Sequence, residues 1–172
     1  KVIELEPDRV DYQFKLADLL WDANRKKEAS DLLKEIISSD PRNEDHRMAL
    51  ARFYVAKKQF PDAEQALKQG ILKNENSFRL RLQLSELYVN LKKFDNAIET
   101  LNQCLVLEKD PGNPVIIQTK NVLARIYLLI GEIEKAEKYT DEVLKESPKN
   151  VEAHFNRGQI LLLKRNGMDA VS

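Results

Sequence analysis

Cysteine, proline and glycine are scarce in this chain of 172 residues, at one, six and five. A single thiol, Cys104, rules out an intrachain disulfide, and cysteine usage therefore says nothing of the redox compartment. So few helix breakers disfavour a turn-rich β fold and favour helices. Net charge is missing as well. Lys and Arg total 28 against 28 Asp and Glu, interspersed along the chain. No overall field draws it to nucleic acid or to a membrane surface, and neither is expected as a partner. No apolar run approaches the roughly 20 residues of a membrane-spanning helix. The longest, around Ile126–Ile130 and Ile160–Leu163, fall far short. The chain starts at Lys1 without an initiator methionine or a signal-peptide pattern, so it reads as an excised piece. Its localisation stays open, with cytoplasm and bacterial periplasm both compatible.

Signs of chemistry are equally sparse. There is no Gly-rich phosphate loop, no nucleophile elbow, no His-Glu-x-x-His and no cluster of Cys and His ligands. His46 and His154 lie more than a hundred residues apart and do not read as a metal pair. An enzyme is therefore not expected, nor a cofactor, nor a metal. What is present is a 42% apolar share and a charged third, the composition of a folded chain rather than a disordered tail.

The order in those residues is a repeat. Leu16-Ala17, Leu50-Ala51, Leu84-Ser85 and Leu123-Ala124 are each followed, three residues on, by Leu20, Tyr54, Tyr88 and Tyr127. The small residues step by 34, 34 and 39. Ala29, Ala63, Ala97 and Ala136 step by the same three intervals, an independent marker of the same register. Pro41 and Pro148 sit at equivalent places. Apolar residues recur three and four apart, at Leu16, Leu19, Leu20 and at Leu32, Leu33, Ile36, as one face of a helix requires. Small side chains at the marker positions let paired helices approach closely. Asp40-Pro41, Asp110-Pro111 and Ser147-Pro148 mark helix stops, since proline disfavours α geometry in its predecessor. One such pair cannot bury its face alone, whereas stacked pairs share a continuous core.

This pattern resembles the tetratricopeptide repeat family, whose 34-residue unit runs bulky, Leu-small, Tyr, Ala, bulky, small, Pro. The resemblance implies an all-α, right-handed solenoid of antiparallel helix pairs, a single array across 1–172. Its tail of a preceding repeat is 1–9, its full repeats 10–43, 44–77, 78–111 and 117–150, and its partial fifth 151–172. Gly112–Ile116 is an insertion, expected to lengthen either the loop or the next helix while leaving the groove register intact, with Arg125 in line with Asp18, Arg52 and Glu86. The family's aromatic at the fourth position is replaced by Gln13, Arg47, Arg81, Lys120 and His154. Proline is absent from the ends of units two and three, at Glu75 and Lys109. Eleven helical segments are expected: a stub at Val2–Glu6, four pairs, and a fifth first helix followed by a fragment.

Function, in such a family, means binding a protein or peptide as a scaffold or adaptor, along the concave side lined by each unit's first helix. The fifth positions of that helix are Phe14, Met48, Leu82, Asn121 and Phe155; the twelfth are Trp21, Val55, Val89, Leu128 and Leu162. Phe14, Met48 and Leu82 make an apolar stripe that either meets a ligand or packs between neighbouring first helices. The ninth positions alternate in sign as Asp18, Arg52, Glu86 and Arg125, then Gln159. They read as an inter-repeat ion-pair ladder or as competitors for an arriving peptide. Of the slots where some members clamp a terminal carboxylate, only Arg79 suits that role, so such a clamp is disfavoured. Arg25-Lys26-Lys27, Lys57-Lys58, Lys92-Lys93 and Lys164-Arg165 mark turns inside the units, where cations suit the helix C-terminus. Cys104 occupies a small-residue slot equivalent to Gly70 and Val143 and reads as a buried structural thiol. The rival functions are a structural array that assembles into homo-oligomers, and RNA reading by one base per repeat, which the neutral charge opposes. The apolar ends, Val2, Ile3, Leu5 and Ile160–Leu163, Met168, Val171, would favour weak self-association.

Overall fold

The computed structural model describes the backbone of residues 9–169 and the side chains of 9–165. The expected stub at Val2–Glu6, and the side chains of Met168 and Val171, lie outside that range. The fold is all-α: nine helices and no strand among the described residues. The chain divides into two compact units, Lys1–Leu84 and Ser85–Ser172.

In the first unit α1 (Val10–Asp22) is followed by α2 (Lys26–Ser39), then α3 (Glu44–Ala56) by α4 (Phe60–Lys73). Three-residue turns fold α2 back on α1 and α4 back on α3, and α3 also packs on α1 and α2. The boundary between the units falls within α5 (Phe78–Asn90). In the second unit come α6 (Phe94–Leu107), α7 (Pro114–Leu129), α8 (Ile133–Glu146) and α9 (Val151–Asp169). There α7 packs on α6, α8 and α9.

Burial follows the repeat markers. Ala17, Ala29, Ala63, Ala97, Ala124 and Ala136 are each wholly buried, and Ala51 and Ser85 nearly so. With only a methyl or hydroxymethyl at each crossing, two helices come close enough for the flanking Leu33, Leu67, Leu101 and Leu123 to interdigitate beneath them. Cys104 is buried, as its place in the small-residue slot requires. Gly70, in the same slot, would take one more carbon only if its neighbours shifted by a few tenths of an ångström. A Cβ there would lie 3.0 Å from Leu80 Cδ1 and 3.2 Å from Arg47 Cγ.

Two of the three proline-marked stops fall as expected, whereas α6 ends earlier, at Leu107, three residues before Asp110. α2 ends at Ser39 and α8 at Glu146, each one residue before the Asp or Ser that precedes proline. The insertion is shared between the two outcomes open to it: the next helix is longer by three residues, and the loop before it, 108–113, has six residues against four at 40–43, 74–77 and 147–150. α7 starts at Pro114, runs for 16 residues against 13 in α1, and is capped by Asn113, whose Oδ1 accepts from the Val115 N–H at 3.0 Å. Glu108 ties the preceding loop, accepting from the backbone N–H of Lys109 and Asp110. Those bonds hold its carboxyl below the usual carboxylate range.

One expectation is overturned. α9 does not stop at Lys164-Arg165 but runs unbroken to Asp169. Each earlier turn spends a residue in the left-handed region, at Asn24, Lys58, Lys92 and Gly131. The next position in that register is Arg165, which stays helical.

Gly131 is the position where that turn is freest of strain, at φ 79°, with open space around a would-be Cβ. Gly131→Ala should therefore cost about 1–2 kcal/mol from backbone strain alone. Urea unfolding is the measurement, and helical content by circular dichroism should not change.

Candidate functional site

The first-helix positions singled out in the sequence behave differently in the two units. In the first, most are engaged within the protein. Trp21 packs edge-on to Phe53 and Tyr54, with ring centroids 5.5 and 6.4 Å away. Asp18 was expected to pair along the ladder with Arg52. It pairs instead with Lys57, whose Nζ sits 2.7 Å from Asp18 and 2.5 Å from Asp22. Those two hydrogen bonds raise the Lys57 pKa. Lys57 is the residue that follows α3, and both aspartates lie in the second half of α1. Arg79 is committed as well, 2.7 Å from Asp45 and 3.9 Å from Glu44. Met48 is only 7% exposed, which interrupts the apolar stripe expected through Phe14 and Leu82. Both flanking residues are half-buried, so that stripe packs rather than faces outward. Arg52 and Val55 remain exposed on α3.

Several cations beside the turns lie over aromatic rings. Lys26 lies over the Trp21 ring, Lys93 over Tyr88 and Lys135 over Tyr127, at 5.5 to 5.9 Å. Arg25 is bound to Glu28.

In the second unit Glu86 is exposed and Val89 half-buried on α5. Asn121 is buried: its Nδ2 donates to Asn150 Oδ1 at 3.1 Å, and its backbone carbonyl accepts from Asn156 Nδ2 at 3.4 Å. It therefore supports α7 on α9 rather than facing outward. Next to it the remaining candidates converge. Arg125 and Leu128 of α7 and Phe155 and Gln159 of α9 line one open cavity of about 440 Å³. Leu129, Leu162 and Leu163 complete its wall. Phe155 is 65% exposed, Leu162 63% and Leu129 59%, so an almost wholly apolar depression lies open to water with one guanidinium at its edge. Leu129 and Leu163 are easily missed in the sequence, because a leucine next to the Leu-small-Tyr face looks like core. Their thirteenth place in the unit is the signal that finds them.

Two ion pairs hold α9 against α8 beside this cavity. Arg157 pairs with Asp141, and Lys164 Nζ lies 2.5 Å from Glu137 Oε2. The Lys164 hydrogen bond holds the Glu137 carboxyl below its ordinary value.

Paired helices of this length, joined by three-residue turns and stacked through small residues, define a helical-repeat protein. The sequence matches the tetratricopeptide repeat over residues 10–43, 28–79, 54–105 and 121–171. The chain belongs to the tetratricopeptide repeat family. Its structure is similar to that of a thermophilic TPR protein from Thermus thermophilus, at 24% identity and a TM-score of 0.64, over 93% of this chain and 85% of that one. It is also similar to MamA, at 20% identity and a TM-score of 0.63, over 94% of this chain and 85% of the other. A third similar structure is the first TPR of Spaghetti (RPAP3) bound to the HSP90 peptide SRMEEVD. It is 18% identical with a TM-score of 0.58, over 69% of this chain and 90% of that one. No curated protein sequence matches the chain.

Because the Glu137 pKa is lowered by folding, its pair with Lys164 contributes stability above the ordinary carboxyl value of 4.5. That contribution is lost as pH falls through the lower folded value. Lys164→Met should therefore be less stable than the parent at neutral pH, by a margin that closes as the pH is taken below 4.5. Thermal unfolding across that range checks it, and a margin that persists in acid would mean the lysine acts through packing instead.

Proposed function

We propose that the chain is a non-catalytic scaffold or adaptor, and that the α7–α9 cavity seats a segment of a partner protein. The repeats are read as Val10–Asn43, Glu44–Ser77, Phe78–Pro111 and Ile117–Asn150, with a partial unit from Val151. First-helix residues form the binding face: Arg125, Leu128, Phe155 and Gln159 in the cavity, with Arg52, Val55 and Glu86 as further exposed candidates. One observation carries the reading. Phe155, Leu162 and Leu129 stand open to water around Arg125, and a cluster of large apolar side chains is costly to leave uncovered. At about 25 cal/mol per Å² of apolar surface removed from water, an apolar side chain seated there supplies most of the affinity. Arg125 would then choose segments with a carboxylate beside that anchor. The peptide-bound relative supports the reading that the fold accommodates an extended acidic segment.

A second reading, homo-oligomer assembly, draws on the same exposed leucines. It differs in that the occupant is another copy. Light scattering against concentration separates the two.

The test is selection of binders from a random peptide library, followed by titration of the parent protein and two variants. Phe155→Ser should weaken the selected peptides by tenfold or more, roughly the worth of one buried aromatic anchor. Arg125→Glu should weaken only those that carry an acidic residue. Both side chains are exposed, so the variants should unfold at close to the parent temperature. Unchanged affinities in both would remove the cavity as the binding face, and self-association abolished by Phe155→Ser would favour the homo-oligomer.

A further inference from the structure

The first unit contains a second cavity, away from the first-helix face. It has a volume of about 410 Å³ and lies among α2, α3 and α4. Arg47 lines it from α3 and is 8% exposed. Its guanidinium is poorly satisfied: Nη2 reaches the Pro41 carbonyl at 3.5 Å, the outer limit of a hydrogen bond, and Nε–H has no acceptor among the described residues. Burial lowers its pKa, and no neighbouring charge acts to restore it. A buried cation without a counter-charge is an expensive feature that a bound anion would relieve.

The second unit shows what would fill such a space. Residues 73 positions further on are equivalent, so Lys120 corresponds to Arg47, and Tyr127 to Tyr54. Lys120 pairs with Glu142 of α8, Nζ to Oε2, at 2.8 Å. Tyr127 stacks on Tyr139 of the same helix, with centroids 5.8 Å apart and planes 5° from parallel. In the first unit Gln69 stands in the place of Glu142 and Ala66 in that of Tyr139, and both line the cavity. The ring and the carboxylate that close the α7–α8 crossing are therefore both missing from the α3–α4 crossing. The cation and the tyrosine that would receive them are kept. Gly70 keeps the arginine stem in place, since its missing side chain makes room for Arg47 Cβ and Cγ. The other charges on the wall are Lys34, whose Nζ lies 3.5 Å from Asp31, and Asp62.

We propose that this cavity binds an aromatic carboxylate, with the ring laid on Tyr54 and the carboxylate on the guanidinium of Arg47. The ligand would take the roles that Tyr139 and Glu142 play in the second unit. The same chemistry could arrive as a free aromatic acid or as a partner helix bearing an aromatic residue and a glutamate three apart.

The test uses 3-phenylpropionate and its neutral counterpart, 3-phenylpropanamide, on the whole chain. The acid should shift the NMR resonance of the Arg47 Nε–H and raise the unfolding temperature, and the amide should do neither. Gln69→Glu, and the pair Ala66→Tyr with Gln69→Glu, should fill the site from within. Each should stabilise the free protein, and acid binding should fall by about tenfold or more, as for loss of a charge-assisted hydrogen bond. Arg47→Met removes the receiver but could disturb packing over Gly70, so the filling variants carry the conclusion. A helical peptide with Tyr-x-x-Glu that competes with the acid would mark a partner helix as the source; failure to compete would mark a small molecule. If neither acid nor peptide moves the Arg47 signal, the proposal is overturned. Equal binding of acid and amide, or full binding by the filled variants, overturns it too.

Discussion

Everything in this protein depends on how closely two helices can cross. At each crossing the chain places an alanine, a serine or, once, a glycine, and these residues are buried almost to the last square ångström. The close approach lets leucines of the facing helices interdigitate, and it also fixes which way every other residue points. Positions one helical step from the small residue are drawn into the pair. Those on the opposite side face the next pair or water. The cavity walls are a consequence of that geometry and not a separate design.

The two units use the same crossing to different ends. In the first, first-helix residues are spent on holding helices together: Asp18 and Asp22 on Lys57, Asp45 on Arg79, and Trp21 on Phe53 and Tyr54. In the second, the second helix is closed by a tyrosine stack and a lysine–glutamate pair, while the first helices leave an apolar depression uncovered. The open spaces therefore fall at different places in the two units. The first unit is open among α2, α3 and α4, and the second between α7 and α9. Exchange of two residues on one helix, alanine for tyrosine and glutamine for glutamate, is enough to account for the former.

Ionic contacts here act as tethers more than as sources of stability. Most join exposed partners, whose net contribution is small. Their placement still matters, because the pair between Lys164 and Glu137 holds α9 where Phe155, Leu162 and Leu163 can share a wall with α7. Lysines over Trp21, Tyr88 and Tyr127 add cation–ring contacts near the turns.

The sequence alone determined the helices, their pairing and their stops. Periodicity, small residues and prolines are local signals, and each is repeated at a fixed interval that chance does not produce. It also determined that Cys104 is buried, and it placed Phe155, Arg125, Gln159 and Leu128 among many first-helix candidates, which only the structure gathers around one cavity. Three things needed the tertiary structure. Met48 and Asn121 share the fifth position with Phe155, yet they are buried and it is exposed, because neighbouring helices cover them unequally. Asp18 chose Lys57 over Arg52 because reach and direction, not sequence interval, select an ion-pair partner. The break expected at Lys164-Arg165 did not form, and α9 runs on to Asp169. A repeat tells where each side chain starts; only packing tells what it meets.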